Sequence, residues 1–497
     1  MDGNRKWWAL VALSVAAVAI GLDMTVLNLA LPTLSTALHA TNNQLLWFVD
    51  AYTLVLAAAM LPAGMLGDKI GRKKLLLFAL VVFGGGSLAC AYATSAGMFI
   101  AARILLGLGA AFIVPLALSV IPVLFDEKAR PKAVALLMVS TMISFPLGPI
   151  LGGWLLTHYW WGTVFWINVP VVIIALFTVG LTLPETRAQE PHPVDLIGMV
   201  TTSLGLTGLT YGVIEGGENG FGTLSALIPI LASAILFAAC VVWERRASHP
   251  LIDFELFQSR GFTWGTILTT LVSFVMFGIL FSVPQYFQEV LSLTPLQSGV
   301  RLLPLIIGLI AGAVPATRLA AWAGPKVAVG LGFAVLTVGV IIGANTSLQA
   351  GTEYSILWLT ISGLGLGFAM PTAMDAALGA LSSEHSGVGS AMIQAVRQAG
   401  GTMGVAVLGT ILASVYRHNL ITRGLPQPVV SAAGKSVAAG VAVSQQLNLP
   451  SLFVAVKSSF VDGMDVLLWL SAVIAVLNVV LALVFLPGRQ TKGGAAE

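Results

Sequence analysis

Apolar runs of about 20 residues recur along nearly the whole chain, separated by short charged or Pro- and Gly-rich turns, and no other feature constrains the fold as tightly. A helix crosses the hydrocarbon core of a bilayer in about 20 residues, and only helices or closed barrels satisfy their own backbone groups there. Of the 497 residues, 57% are hydrophobic and 9% charged, whereas soluble chains carry about 25% charged residues. The expected fold class is therefore an all-α polytopic membrane protein. Fourteen spans can be counted, at about 7–32, 45–66, 75–93, 97–121, 133–156, 162–183, 194–214, 222–243, 261–284, 298–318, 326–344, 354–378, 388–414 and 464–486.

Lys and Arg residues orient such a chain, because short cytoplasmic loops hold them in excess. With both termini in the cytoplasm, seventeen of the 24 fall on that side. Arg103, Arg301 and Arg397 lie in or at the edge of spans, while Arg417, Arg423, Lys435 and Lys457 share one long external loop at about 415–463. The spans group as a six-helix bundle over 1–183, an inserted helix pair over 194–243 and a second six-helix bundle over 261–487. Glu244–Arg260 reads as the cytoplasmic linker before the second bundle. Arg5, Lys6, Trp7 and Trp8 precede the first apolar run and no small-residue cleavage site follows it, so that span is expected to be retained.

Composition also bounds the chemistry. The net charge of +3 is spread over short loops and forms no basic stripe, so the bilayer is the expected partner and nucleic acid is not. Cys90 and Cys240 both fall in apolar spans and read as packing residues. The six histidines show no metal spacing, and no H-E-x-x-H or phosphate-binding loop is present, so neither an enzyme nor a resident metal or other cofactor is expected.

Ionisable groups at membrane depth cost about 2.5–3.5 kcal/mol each on insertion scales, which makes the few present functional candidates. Asp23 lies about 24 Å from the inner face and Arg103 about 9 Å from the outer face, so their depths match. Asp50, near the outer start of span two, reads equally as a water-exposed helix-start residue or a functional acid. Asp375 and Arg397 lie about 8 and 14 Å from the cytoplasmic face, candidates for a pair, an inner gate or a cation-binding site. Between spans two and three, Gly64, Gly67 and Gly71 permit close packing and a sharp turn, Asp68 is suited to capping a helix, and Lys69, Arg72, Lys73 and Lys74 hold the hinge in the cytoplasm. A plain anchoring loop is the simpler reading of that hinge.

The hinge, G-M-L-G-D-K-I-G-R-K-K-L from Gly64, resembles the corresponding loop of the major facilitator superfamily, with Lys69 where Arg is usual. The segment Leu22–Pro32 resembles the first-span motif L-D-x-T-V-V-N-V-A-L-P of fourteen-span drug:proton antiporters, in which Asp23 takes the place of the motif Asp. Further likenesses are Trp47–Leu54 in span two, Arg103–Ala110 in span four (with Leu106 for the usual Gln), Trp166–Pro170, Pro295–Pro304, Gly387–Ala391 and Arg397–Gly401. In span five, Ser144–Gly153 resembles G-x-x-x-G-P-x-x-G-G, with Ser144 at the first Gly and Gly148, Pro149, Gly152 and Gly153 retained. The hinge equivalent in the second bundle, Arg318–Lys326, lacks the Asp.

The resemblance implies the major facilitator fold, two six-helix bundles rocking about a midplane site, here with two inserted helices. It implies that spans one and four line the cavity, where Asp23 and Arg103 meet either as a proton-exchanging pair or as a static lock. Asp23, Asp50, Arg103, Asp375 and Arg397 become the candidates for proton coupling and substrate binding. Gly64, Asp68, Gly71, Arg72, Gly148, Pro149, Gly152 and Gly153 become the candidates for conformational gating. The implied function is a proton antiporter of the bacterial cytoplasmic membrane that exports amphipathic, cationic compounds, with protons as the coupling ion. Met24, Met60, Met138 and Met142 read as core or as adaptable cavity surface. The alternatives are a narrow exporter of one antibiotic, siderophore or metabolite, and a non-transporting sensor or scaffold.

Overall fold

A computed structural model describes residues 3–125, 129–187, 195–247, 254–381, 386–422 and 427–488. Its helices in chain order are α1 (Gly3–Ala37), α2 (Asn42–Ile70), α3 (Arg72–Ala91), α4 (Ala96–Leu124), α5 (Arg130–His158), α6 (Thr163–Trp166), α7 (Asn168–Thr182), α8 (Leu196–Asn219) and α9 (Leu224–Glu244). They continue with α10 (Arg260–Gln285), α11 (Pro295–Ala323), α12 (Pro325–Gly343), α13 (Thr352–Leu378), α14 (Ser386–Thr422), α15 (Gln427–Ala433), α16 (Val437–Gln446) and α17 (Pro450–Phe485). No strand occurs among the described residues. Thirteen described spans are long and apolar enough to cross a membrane, with α6 and α7 counted as one. Helix α5, 29 residues long, lies where the remaining expected span falls. The protein is thus an all-helical integral membrane protein.

Local chemistry sets the helix boundaries. Thr41 and Gln44 form a reciprocal capping box at the start of α2, and the Ser95 hydroxyl accepts from the Met98 N–H at 3.2 Å to start α4. Asp195 does the same for α8 through the Gly198 N–H at 2.9 Å. Between α2 and α3 the chain turns on Gly71 at φ 121°, a conformation that a side chain would strain.

The helices divide into two compact units. Unit 1 comprises Met1–Ile252, Pro284–Val300 and Gly424–Val456, and unit 2 comprises Asp253–Val283, Arg301–Arg423 and Lys457–Glu497. Small residues let backbones approach within each unit. In unit 1, a methyl group at Gly109 of α4 would stand 2.5 Å from Phe83 N of α3, and one at Gly152 of α5 would stand 2.7 Å from Val26 of α1. In unit 2, one at Gly332 of α12 would stand 2.6 Å from Ala369 N of α13.

The stretch 415–463, expected as a long loop, is instead helical over much of its length. Helix α14 runs on to Thr422, α15 and α16 follow, and Pro450 opens α17 well before the expected span start. Contacts within unit 1, to which Gly424–Val456 belongs, account for the order of α15 and α16: the Lys435 carbonyl accepts from the Asn42 N–H at 2.6 Å, and the Ser35 and Ser436 hydroxyls bond at 2.6 Å.

Candidate functional site

The first cluster lies in unit 1 where α1, α2 and α4 meet. Gly107 stands one turn beyond Arg103 on the same face of α4, and a methyl group there would lie 2.7 Å from the Tyr52 carbonyl of α2. That missing side chain lets α2 close on α4 and brings Arg103 within reach of the α2 backbone. Arg103 Nη1 donates to Asp23 Oδ2 at 2.5 Å, and both side chains are only 1% exposed. Arg103 Nε donates to the Phe48 carbonyl at 2.8 Å, and the guanidinium carbon stands 4.3 Å from the Tyr52 ring centroid. One cation is therefore held by a carboxylate, a carbonyl and a ring face, as desolvation requires of it. Asp23 Oδ1 remains buried without a hydrogen-bond partner.

Asp50 is 0% exposed and neither carboxylate oxygen has a hydrogen-bond partner. The water-exposed reading does not hold: α2 begins at Asn42, so Asp50 is already about 12 Å along the helix, on its buried side. Thr25, two residues beyond Asp23, donates its hydroxyl to the Gly21 and Leu22 carbonyls, and Gly148 of α5 leaves the room it occupies. Pro149 and Gly153 are buried against the start of α11: a methyl group at Gly153 would lie 2.7 Å from Leu296 Cα, and one at Gly299 would lie 2.8 Å from the Pro149 carbonyl carbon.

At the hinge, Gly64 and Asp68 lie in α2, and the Asp68 side chain lies outside the described residues. Gly71 occupies the N-cap position of α3 without a capping side chain. The anion at that helix start is Glu185, from the segment after α7, whose carboxylate accepts the Lys73 and Lys74 N–H groups at 3.2 and 3.3 Å. Beside it, the Arg72 N–H donates to the Thr186 carbonyl at 3.0 Å and Lys73 Nζ to the Gly180 carbonyl at 2.7 Å. Glu185 escaped the sequence reading because nothing local ties it to a hinge more than 100 residues earlier. Tyr52 lies within the Trp47–Leu54 likeness, but an aromatic in an apolar span reads as core, so its place against the guanidinium is not legible in the sequence.

In unit 2, Asp375 is exposed near the end of α13, and Arg397 is half-buried on α14 with its Nε lacking a partner. The expected pair between them is not formed among the described residues. Asp375 stands within a turn of the α13 end and Arg397 three turns into α14, a mismatch in depth. No group of three or more His, Cys, Asp and Glu residues able to hold a metal occurs among the described residues.

Comparison with known proteins gives a concordant result. The chain is 32% identical over 493 residues to the tetracenomycin C resistance and export protein of Streptomyces glaucescens, spanning 97% of this chain and 91% of that protein. It is 31% identical to the multidrug efflux pump LfrA of Mycolicibacterium smegmatis (89% and 88%) and 29% identical to the methyl viologen resistance protein SmvA of Salmonella typhimurium (89% and 90%). Its fold resembles that of an inward-facing bacterial homolog of the human lysosomal transporter Spinster, with a TM-score of 0.70 at 15% identity over 99% and 100% of the two chains. A D-xylose-proton symporter superposes with a TM-score of 0.64 at 14% identity over 97% of this chain and 98% of that one. The family model of the Major Facilitator Superfamily matches residues 13–405, which places this chain among transporters and not enzymes: it belongs to the major facilitator superfamily.

Proposed function

We propose that the protein is a proton-coupled antiporter that exports amphipathic, cationic drugs or toxic compounds across the bacterial cytoplasmic membrane by alternating access, with both termini in the cytoplasm. The observation that carries this reading is the buried Asp23–Arg103 pair, with a free Asp23 oxygen beside it and the unpartnered Asp50 carboxylate on the neighbouring helix. Desolvation opposes an ionised carboxylate, whereas Arg103 or a bound cation favours it, so proton and cationic substrate compete for the same acids. A proton arriving from outside neutralises the site and releases the substrate; its loss to the cytoplasm restores the charge that draws the next one. Asp375 serves in unit 2 as a second, water-accessible acid. Gly64, Asp68, Gly71 and Arg72 at the hinge and Gly148, Pro149, Gly152 and Gly153 in α5 serve the conformational change, because small residues and a missing backbone donor let these segments slide and bend.

The relatives' names support export of toxic compounds, and one of them, a tetracenomycin C export protein, favours a narrower second reading, export of a single antibiotic. The test is ethidium uptake into inside-out vesicles under an imposed pH gradient, native protein against Asp23→Asn. Gradient-driven uptake that the substitution abolishes supports the first reading. Absence of uptake by the native protein overturns it in favour of the second.

A further inference from the structure

Unit 2 contains a basic group that its own helices leave unanswered. Arg397 lies about 16 Å along α14 from Ser386, deeper than the headgroup layer, where an unpaired charge costs about 2.5–3.5 kcal/mol. Its Nε is buried without a hydrogen-bond partner, and among the described residues no carboxylate pairs with it. Gln394 stands three residues before Arg397 and four before Gln398, a same-face neighbour of each, so the three side chains line adjoining faces of α14. Gln394 Oε1 and Gln398 Nε2 are also buried without partners, and Gln398 is only 5% exposed.

Helix α10 adds a fourth unmet group. It runs parallel to α14 in tight register: Gly400 packs on Thr270, Gly404 on Phe274, and Gly278 on Leu408. This constant offset sets Thr266 level with Val396, one residue before Arg397, and Thr266 Oγ1 is again buried and unpartnered. A guanidinium, an amide donor, an amide acceptor and a hydroxyl thus share one level of the unit, and each unmet group costs about 1–3 kcal/mol when nothing binds it. A planar fork of N–H donors matches a pair of anionic oxygens, and an added cation would only increase the repulsion.

The geometry points to a subsite in unit 2 for the carboxylate or phenolate oxygens of an amphipathic substrate, held by Arg397 and flanked by Gln394, Gln398 and Thr266. The assignment rests on the export reading above and extends its substrate range to compounds with an acidic group, zwitterions included. Which amide atom of each Gln faces the ligand is set by that ligand, since Oε1 and Nε2 exchange by a flip.

The experiment is fluorescence polarisation of two dyes on the same xanthene frame, titrated with the full chain in neutral phosphatidylcholine nanodiscs. Fluorescein offers a carboxylate and a phenolate; rhodamine 6G is a cation whose carboxylate is esterified. Fluorescein is expected to bind, and the ratio of fluorescein to rhodamine affinity to fall at least tenfold in Arg397→Gln, with Arg397→Lys in between because it keeps the charge without the fork. Should Arg397→Gln not be monodisperse, Gln394→Leu combined with Gln398→Leu is expected to move the ratio in the same direction. No fluorescein binding by the native protein, or an unchanged ratio in the variants, overturns the subsite. Absence of gradient-driven ethidium transport by the native protein would instead count against export of cationic drugs, in favour of the narrower exporter, and leaves the binding ratio interpretable.

Discussion

Arg103 holds three partners on two helices, and the cost of disturbing it follows from what it leaves behind. Arg103→Leu strands the Asp23 carboxylate in a fully buried position, at an expected cost of about 3–5 kcal/mol. Replacing both residues by Leu removes the stranded charge, so the double variant should recover at least half of the loss in thermal unfolding midpoint in detergent. A double variant as unstable as Arg103→Leu would show that the pair does not act as a unit. Asp50 predicts the opposite sign. Its two oxygens have no partner at 0% exposure, so Asp50→Asn is expected to leave the unfolding midpoint unchanged or raised while pH-gradient-driven transport in vesicles is lost. Retained gradient-driven transport would remove Asp50 from the coupling machinery. The matching depths of Asp23 and Arg103 were legible in the sequence because span length and rise per residue fix depth. The burial of Asp50 was not, because two turns of helix precede it where a hydropathy count places only a boundary.

At the scale of elements, the start of α3 depends on a residue from far along the chain. The Glu185 carboxylate accepts two first-turn N–H groups, and Gly71 makes room for it: a methyl group there would stand 2.5 Å from Glu185 Oε1 with the backbone at φ 121°. Glu185→Ala is expected to cost about 1 kcal/mol, the typical worth of a helix cap, and Gly71→Ala about 1–3 kcal/mol through backbone strain. Because the two positions touch, their effects should not add. The double variant in a thermal-unfolding cycle should lose less than the sum of the singles, and strict additivity would mean that Glu185 does not hold the hinge. Apolar length made the spans legible, and the hinge glycine could be placed because only a tight turn joins α2 to α3. The helices α15 and α16 were hidden: their small-residue sequence has no span-length apolar run, and their order comes from Ser35 and Asn42 of unit 1.

For the molecule as a whole, the inserted pair is the feature most open to removal. Helices α8 and α9 pack as a hairpin on one another, with Gly208 and Gly212 of α8 against Ser233 and Ile230 of α9. Their ties to α2 include the Trp47–Tyr211 ring pair, with centroids 6.3 Å apart, and the Asn43–Glu218 hydrogen bond. Two spans removed together change no later orientation, because Arg260, Arg318, Lys326, Arg489 and Lys492 stay on the side where the chain places its other short-loop cations. Excising 195–247 should therefore keep a fluorescent protein fused to the C-terminus bright in the cytoplasm, at expression within about threefold of the full chain, whereas excising 222–247 alone, an odd change of one span, sets those five residues against the rule. That variant is expected to lose most of its folded yield by fluorescence size-exclusion chromatography. Equal yields from both excisions would mean that the later helices orient themselves independently of the count, and the even-numbered topology on which the cytoplasmic placement of both termini rests would fall with it.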